Sequence, residues 1–173
     1  VRLLLDKADV EWANKAGRTA LMVASWNGHV ECVRALLDKA DIDRARADNG
    51  KTALIFASEN GHVECVRLLL DKADVEWANK AGRTALMVAS RHGHVECVRL
   101  LLDKADVDRA DENGWTALIL ASAKGHVDCV IALLEAKADV KRLYPFKFMN
   151  MFPTALILAS FLGHVECVRA LIN

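Results

Sequence analysis

The sequence has no excess of either charge and no long apolar run. Lysine and arginine together number 23, as do aspartate and glutamate, so the formal net charge at pH 7 is zero. This balance argues against a dedicated nucleic-acid-binding protein, which would show a strong basic excess. The longest apolar runs are far shorter than the roughly 20 residues that a membrane-spanning helix needs. No charged-then-apolar leader opens the sequence, so no secretory signal is visible.

The usual signatures of catalysis are also missing. The sequence contains no glycine-rich phosphate loop and no kinase motif. Neighbouring carboxylates such as Asp38 and Asp41 lie beside lysines at the ends of helical patterns, which is typical of a solvated edge. We therefore expect no enzyme activity, no catalytic residue and no cofactor.

What the sequence does contain is one stretch repeated five times. It reads Thr-Ala-Leu, two apolar residues, Ala-Ser, two variable residues and then Gly-His-Val. Successive copies are 33, 32, 32 and 38 residues apart, and they begin at Thr19, Thr52, Thr84, Thr116 and Thr154. A near-constant period of this length is typical of stacked repeats, because one unit alone cannot bury its apolar face.

Each copy predicts a pair of helices. In the first copy, the Thr19 hydroxyl can cap the first helix, and Gly28 can end it in the left-handed conformation. His29 would then open a second helix, in which Val33 and Leu36 fall on one apolar face. Connections rich in Asn, Asp and Gly join one pair to the next, as expected for turns.

This pattern resembles the ankyrin repeat, in which a turn with glycine precedes Thr-Pro-Leu-His-x-Ala, then Gly-His and a leucine-rich second helix. The resemblance covers nearly the whole chain. Two departures are clear, because the motif proline is alanine in every copy and the motif histidine is apolar. The residues in place of that histidine are Met22, Ile55, Met87, Ile119 and Ile157. Its usual hydrogen bonding between turns must therefore be absent or replaced.

The resemblance implies an all-α fold, an ankyrin-repeat solenoid of stacked helix-turn-helix units with short turns between them. We predict a single domain over residues 1–173, with a partial repeat at 1–13 and a final repeat at 149–173. The repeats between them are 14–46, 47–78, 79–110 and 111–148, and a long aromatic loop occupies 141–153. Because neither end carries an obvious polar capping repeat, we expect the array to continue in a longer protein or its ends to be covered by neighbours.

Five cysteines suggest disulfides, but their spacing argues against them. They occur once per repeat at the same place, as Cys32, Cys65, Cys97, Cys129 and Cys167. Adjacent packed helices lie about 8–10 Å apart, whereas bridged cysteines need Cα atoms within about 7 Å. We expect five free, buried thiols that pack as small apolar groups. Free thiols fit an intracellular, reducing compartment, such as the cytoplasm, the nucleus or an organelle interior.

Each cysteine follows a histidine at a spacing that zinc sites also use, from His29 and Cys32 to His164 and Cys167. A structural zinc site needs four converging ligands, whereas each repeat supplies one pair with its cysteine toward the core. A cysteine hydrolase would need one distinct, activated pair in a pocket. We therefore expect no metal site, and the resemblance implies a framework role for the Gly-His pair.

Candidate binding residues occupy positions that vary on a constant frame. Residues 1–25 are identical to residues 66–90, and the identity stops at the two residues before Gly-His. The resemblance places these two residues at the end of the first helix, facing a concave groove. A third position, just before each threonine, would align cationic and aromatic side chains along one edge of the groove. The partner-binding residues predicted from these positions are Arg18, Trp26, Asn27, Lys51, Glu59, Arg83, Arg91, His92, Trp115 and Lys124.

Binding is not the sole possible cause of this variation. Neutral drift at exposed positions would produce the same differences between repeats, and a charged edge also serves solubility. If the edge does bind, we expect it to receive an acidic or mixed peptide or protein surface.

The fifth connection differs from the others. The span 140–154 is five residues longer than the equivalent span 10–19, and it contains no glycine. Aromatic and methionine side chains concentrate there, and such residues often anchor interfaces. The predicted anchors are Tyr144, Phe146, Phe148, Met149, Met151 and Phe152. Folding of the loop over the last repeat's core is the alternative, and its basic residues also allow contact with a membrane surface.

Together these features favour a non-enzymatic scaffold or adaptor. It would bind a protein partner through the concave groove, the turns and the 143–152 loop, with membrane contact confined to that loop and nucleic acid unlikely as a partner. Two alternatives stay open: a structural or anchoring subunit of a large assembly, membrane-associated or not, and the regulatory ankyrin segment of a longer enzyme or channel.

Overall fold

The computed structural model describes residues 9–143 and 154–173. Within these ranges the chain forms ten α-helices and no strand, arranged as five pairs. The first helices of the pairs are α1 Ala20–Asn27, α3 Ala53–Glu59, α5 Ala85–His92, α7 Ala117–Lys124 and α9 Ala155–Phe161. The second helices are α2 Val30–Leu36, α4 Val63–Leu70, α6 Val95–Leu102, α8 Val127–Glu135 and α10 Val165–Ile172. The predicted all-α fold is confirmed, and each helix pair lies within one predicted repeat, whose boundaries stay a prediction.

The threonine of each copy caps the first helix of its pair, as predicted. In the fourth copy the Thr116 hydroxyl oxygen accepts a hydrogen bond from the Ile119 backbone N–H at 3.3 Å. The other four copies make the same contact at 3.4–3.5 Å. Such a cap satisfies one of the backbone donors that a helix leaves unpaired at its start. The cap therefore sets where each first helix begins.

The pairs stack so that first helices pack on first helices and second helices on second helices. The apolar residue in place of the motif histidine lies at the centre of this contact. It is 1% exposed in the first four copies, as Met22, Ile55, Met87 and Ile119. Burial of a side chain of this size stabilises the fold by about 1.5–3 kcal/mol relative to exposure. An apolar stack therefore occupies the place of the hydrogen bonds that a histidine would make here.

In the second to fifth units, the histidine of the Gly-His pair joins its unit to the preceding one. The Nε2 of His94 donates to the Glu59 carbonyl oxygen at 3.0 Å, and the Nε2 of His126 donates to that of Arg91 at 3.0 Å. The histidine ring also stands directly over the glycine of the preceding unit, so that a Cβ atom built on Gly93 would lie 2.6 Å from Nδ1 of His126. Gly93 has φ of 80°, where an L-residue is strained. This position therefore needs glycine for two reasons: it has no Cβ atom to meet the histidine ring, and it adopts a positive φ without strain.

A second set of contacts joins the connections between pairs. The Asp43 carboxylate accepts a hydrogen bond from the Asp74 backbone N–H at 2.9 Å, and Asp108 accepts one from Asp139 at 2.8 Å. In the alternate units a glutamate does the same, since Glu76 accepts from the Asp106 N–H at 2.8 Å. Each connection is thus held to the next by a charge-assisted bond to backbone.

In four of the five copies, the serine that follows the second alanine of the repeated stretch is buried. Ser25, Ser58, Ser90 and Ser122 are each 0% exposed, and no described residue forms a hydrogen bond with their hydroxyl oxygens. Ser160, the fifth member of the series, is exposed. A buried hydroxyl that loses its bonds to water carries a desolvation cost of about 1–3 kcal/mol. These serines therefore owe their place to their small size rather than to their polarity.

The glycine–histidine contact predicts that Gly93→Ala destabilises the protein more than Gly163→Ala. Both substitutions strain a residue with positive φ, at about 1–2 kcal/mol. Only the first also meets a histidine ring, since no atom of the described residues lies within 4 Å of a Cβ on Gly163. We expect Gly93→Ala to cost about 1–3 kcal/mol more, measured by urea denaturation.

His126→Ala in the Gly93→Ala background separates the two causes. Removal of the ring should recover the additional loss, as a double-mutant cycle would show. An equal cost of Gly93→Ala with and without the His126 ring would contradict the contact.

The unpartnered serines predict that Ser90→Ala raises the free energy of unfolding. The substitution removes a buried, unsatisfied hydroxyl, and we expect a gain of about 1 kcal/mol from this cause. Ser160→Ala is the matched control, because it carries the same change in helix propensity at an exposed position. An equal change in both variants, measured by denaturation, would show that the Ser90 hydroxyl is satisfied in solution.

Candidate functional site

Two sets of variable residues meet on one face of the stack. We call the residues before each threonine the groove edge, and these are Arg18, Lys51, Arg83 and Trp115. We call the two residues before each Gly-His a helix-end pair. Within a unit, the groove-edge residue and the first residue of the helix-end pair lie eight positions apart. Their contacts show which of the predicted binding residues already have a partner within the chain.

In the first unit the groove edge and the helix-end pair form an aromatic cluster. The Arg18 guanidinium carbon lies 3.8 Å from the centroid of the Trp26 ring. The Trp26 ring in turn packs against Phe56, with centroids 5.4 Å apart. Phe56 is fully buried, although it lies on the groove side of α3. Cation–π contacts of this kind contribute about 0.5–1 kcal/mol at partly exposed sites, so Arg18 and Trp26 shape the groove floor.

In the second unit the same two positions form an ion pair. The Lys51 Nζ lies 2.6 Å from a carboxylate oxygen of Glu59, and both side chains are largely covered. The ammonium also lies 5.7 Å from the Phe56 ring centroid. The charges of Lys51 and Glu59 therefore compensate each other within the chain.

In the third unit the groove-edge arginine pairs with the next unit. The Arg83 Nε donates to Asp111 at 3.0 Å, and the Asp111 side chain is 0% exposed. The other Asp111 oxygen accepts from the backbone N–H groups of Asn113 and Trp115. A buried carboxylate of this kind becomes costly when its cation is removed. Arg83 therefore has a structural role, and its predicted role in binding stays a prediction.

The helix-end pairs of the third and fourth units are different. Arg91 is half-buried, while His92 and Lys124 are exposed. His92 contacts the Val88 carbonyl oxygen through Nδ1 at 2.9 Å, and its ring stacks on that of His94 at 6.3 Å. Burial lowers the pKa of the His94 imidazole, its hydrogen bond to the Glu59 carbonyl opposes this shift, and the nearby histidines add to it. The helix-end pairs of these two units thus carry basic side chains and no acidic one.

The remaining predicted residues divide into two groups. Asn27 is exposed at the end of α1, and Trp115 is half-buried against the core. The predicted anchors Tyr144, Phe146, Phe148, Met149, Met151 and Phe152 lie outside the described residues. Leu143, which begins the same loop, is 57% exposed. Among the described residues, no helix is long and apolar enough to cross a membrane.

Two tryptophans whose side chains are exposed were not identified from the sequence. Trp12 is 68% exposed, and Trp77, 37% exposed, donates its indole N–H to the Gly50 carbonyl oxygen at 3.0 Å. Their positions are equivalent, because both belong to the stretch that occurs twice in the chain. The equivalent residues of the second and fourth units are Arg44 and Arg109. The repeat offset of 65 residues was the signal that could have identified this exposed aromatic position.

The cysteines line one side of the second helices, and all five are free thiols. Four of them are buried, but Cys32 is half-buried, so the expectation of five buried thiols was wrong for this residue. The reason is that α2 packs against a following second helix but against no preceding helix among the described residues. No group of three or more His, Cys, Asp or Glu side chains in the described ranges is placed to hold a metal ion.

Burial makes two of these thiols weak acids. Burial, with a smaller contribution from the Glu96 carboxylate, raises the pKa of Cys97 to about 11. Burial and the neighbouring Asp128 likewise raise the pKa of Cys129 to about 11. A thiol that resists ionisation is a poor nucleophile and a poor metal ligand near neutral pH. These thiols therefore act as packing groups.

The raised thiol pKa values predict that the protein loses stability in mild alkali. The unfolded chain releases these protons near pH 9 and the folded chain only near pH 11, so the free energy of unfolding falls between these values. At pH 10 we expect a loss of about 1 kcal/mol for each thiol. Replacement of both thiols, as Cys97→Val and Cys129→Val, should reduce the loss measured by urea denaturation at pH 7.5 and pH 10. Cys32→Val is the control, and equal losses in all three proteins would contradict the assignment.

The fold and the groove define a class of protein, the helical-repeat solenoids, whose units contact only their neighbours and present an extended concave surface. A family model described as "Ankyrin repeats (3 copies)" matches residues 1–46, 40–111 and 72–144, and one described as "Ankyrin repeat" matches residues 154–173. The chain belongs to the ankyrin-repeat family. Ankyrin repeats are generally protein–protein interaction modules, and proteins of this kind are typically non-enzymatic. A comparison with the curated proteins finds no matching relative.

Proposed function

We propose that this chain is a non-enzymatic adaptor or scaffold that binds a protein partner through its concave groove, its connecting turns and the 143–152 loop. The observation that carries the proposal is the contrast between frame and groove. The Gly-His pairs are the same in every unit and join the units together. The two residues directly before them differ as a pair from unit to unit, although the second is asparagine in both of the first two units.

Variation on a rigid frame is how a repeat protein acquires a specific partner. The groove also offers chemically distinct regions to a partner. The first two units present an aromatic cluster and a compensated ion pair, the middle units present cations, and the last unit presents the exposed side chains of Phe161 and Leu162. Such a sequence of regions favours one long, mixed protein surface over a small ligand. Free thiols that pack as core groups lead us to propose an intracellular, reducing compartment as well.

A second candidate is a structural subunit of a larger assembly. It is supported by the last helix pair, where Ile157, Phe161, Val165 and Ile172 are 44–83% exposed. An apolar surface of this kind marks an interaction site more often than a free surface. This candidate differs from an adaptor in that its contacts would be permanent.

Blocking of the groove provides the test. We expect that Asn60→Trp together with Ala123→Trp abolishes the capture of specific partners by the tagged chain, because both side chains lie at helix ends on the groove face. The control variant carries two tryptophans on the outer face of the stack instead, as Arg34→Trp and Arg67→Trp. Captured proteins are compared by quantitative mass spectrometry, and the fold of each variant is checked by circular dichroism.

Each result decides between the candidates. Loss of a partner in the groove variant alone supports the adaptor. Equal capture by all three proteins contradicts binding through the groove. A single complex of fixed stoichiometry that survives gel filtration, and that the variants do not disturb, supports the structural subunit instead.

A further inference from the structure

The cations of the groove are not equivalent. The groove edge carries three of them, but Arg18 stacks on Trp26, Lys51 pairs with Glu59, and Arg83 pairs with Asp111. The charges of Lys51 and Arg83 are therefore compensated within the protein, whereas Arg18 keeps its charge but has one face of its guanidinium covered by the Trp26 ring. The cations best placed to attract an anionic group are those with neither an acid nor a covering ring.

Two cations of the third and fourth units, Arg91 and Lys124, meet this condition, and we call them together with the neighbouring His92 the cationic groove patch. Among the residues that the structure describes, neither Arg91 nor Lys124 forms an ion pair. Two acids of the neighbouring positions are occupied, since Glu59 is held by Lys51 and Asp111 by Arg83. Within the described part of the chain, neither of these acids is left to compensate the patch.

The patch is also continuous. Arg91 and His92 end α5, Lys124 ends α7, and these two helices pack against each other. The Arg91 carbonyl accepts the His126 Nε2–H at 3.0 Å, two residues beyond Lys124. This bond holds the ends of the two helices together, so the side chains project from neighbouring points on one face.

A comparison of the units shows that the patch is a departure from the rest of the groove. The position of Arg91 is occupied by Glu59 in the second unit, where it neutralises the groove-edge lysine. In the third unit an arginine stands there, in the same unit as the groove-edge Arg83. Asp111 compensates Arg83, so the uncompensated charge of this unit is that of Arg91. Among the described residues no anion pairs with Arg91, so the partner is the group that would supply it.

We propose that the partner segment that crosses the third and fourth units is acidic, and that its carboxylates contact Arg91, His92 and Lys124. This inference rests on the proposed function and names the chemistry of the partner. The next helix end along the groove carries Phe161 and Leu162, which are 83% and 47% exposed. Packed helices lie about 8–10 Å apart, which an extended chain spans in about three residues. The partner segment therefore has an apolar side chain about three residues from its acidic group.

An acidic protein segment fits better than a nucleic acid. The patch consists of three side chains, whereas a nucleic acid binds through a long row of phosphate contacts. Apolar side chains flank the patch on the side of Phe161, where a phosphate backbone would find no charged donor at the helix end. A nucleic acid is nevertheless a distinct outcome of the test.

The probe is a random 12-residue peptide display library selected on the intact chain, followed by fluorescence anisotropy with the selected peptides. We expect enrichment of aspartate or glutamate with an apolar residue about three positions away. Charge reversal in the patch, as Arg91→Glu with Lys124→Glu, should weaken the binding of these peptides about tenfold or more. It should also flatten the dependence of Kd on salt.

Controls keep the result specific. Arg34→Glu with Arg67→Glu reverses two cations on the outer face and should change Kd less than about twofold. Lys124→Glu alone reverses the charge of an exposed residue that forms no ion pair in the described part of the chain. This single variant replaces the double variant in the binding measurement if the double variant does not fold. Single-stranded dT12 serves as the nucleic-acid probe.

The inference and the proposed function can fail separately. If groove-blocking tryptophans remove partners but charge reversal does not change Kd, or if no acidic peptide is enriched, the patch is not the receptor for an acidic segment while the adaptor function stands. If dT12 binds as tightly as the peptides, with the same response to charge reversal, the partner class is wrong. If neither blocking nor charge reversal affects capture, both proposals fail.

Discussion

The bond from the Gly-His histidine of the second to fifth units to the preceding unit is the contact on which the rest of the structure depends. The histidine ring occupies the space that a Cβ atom would need, and its Nε2 reaches a carbonyl at the end of the preceding first helix. Both conditions can be met only when neighbouring pairs have one separation and one rotation. The apolar stack alone is non-directional and would allow sliding. The histidine contact thus makes successive helix ends fall into line, which creates a continuous groove.

The same contact explains why the groove tolerates variation. The carbonyl that accepts the histidine belongs to the first residue of the helix-end pair, which is Trp26, Glu59, Arg91 or Ala123. The frame uses only the backbone of that residue, and the side chain is left to the groove. Substitution there changes the surface of the groove without changing the contact that aligns the units. The backbone carbonyl of this residue therefore holds the units in line, while its side chain differs from unit to unit.

The stacked fold could be predicted from the sequence because its causes are local and repeated. The capping threonine, the glycine after the first helix and the apolar face of the second helix each act over a short stretch of chain, and the recurrence of one pattern removes the ambiguity of a single copy. Contacts between charged side chains were not predictable, because a pair such as Arg83 and Asp111 joins two different units and depends on how those units pack. The half-burial of Cys32 was missed for a related reason, since burial depends on the neighbouring unit rather than on the residue's own helix.

The charges of the whole chain balance, but those around Arg91 and Lys124 do not. Equal numbers of acids and bases argue against a polyanion binder as a class, yet they do not say where each charge is neutralised. Two groove acids are used within the frame: Glu59 neutralises Lys51, and Asp111 supports a turn while it holds Arg83. These acids are already paired. Arg91 occupies the position that Glu59 has in the second unit, so its charge leaves a local positive field at this helix end. In a solenoid with no net charge, the position of the uncompensated charge therefore follows from the ion pairs rather than from composition.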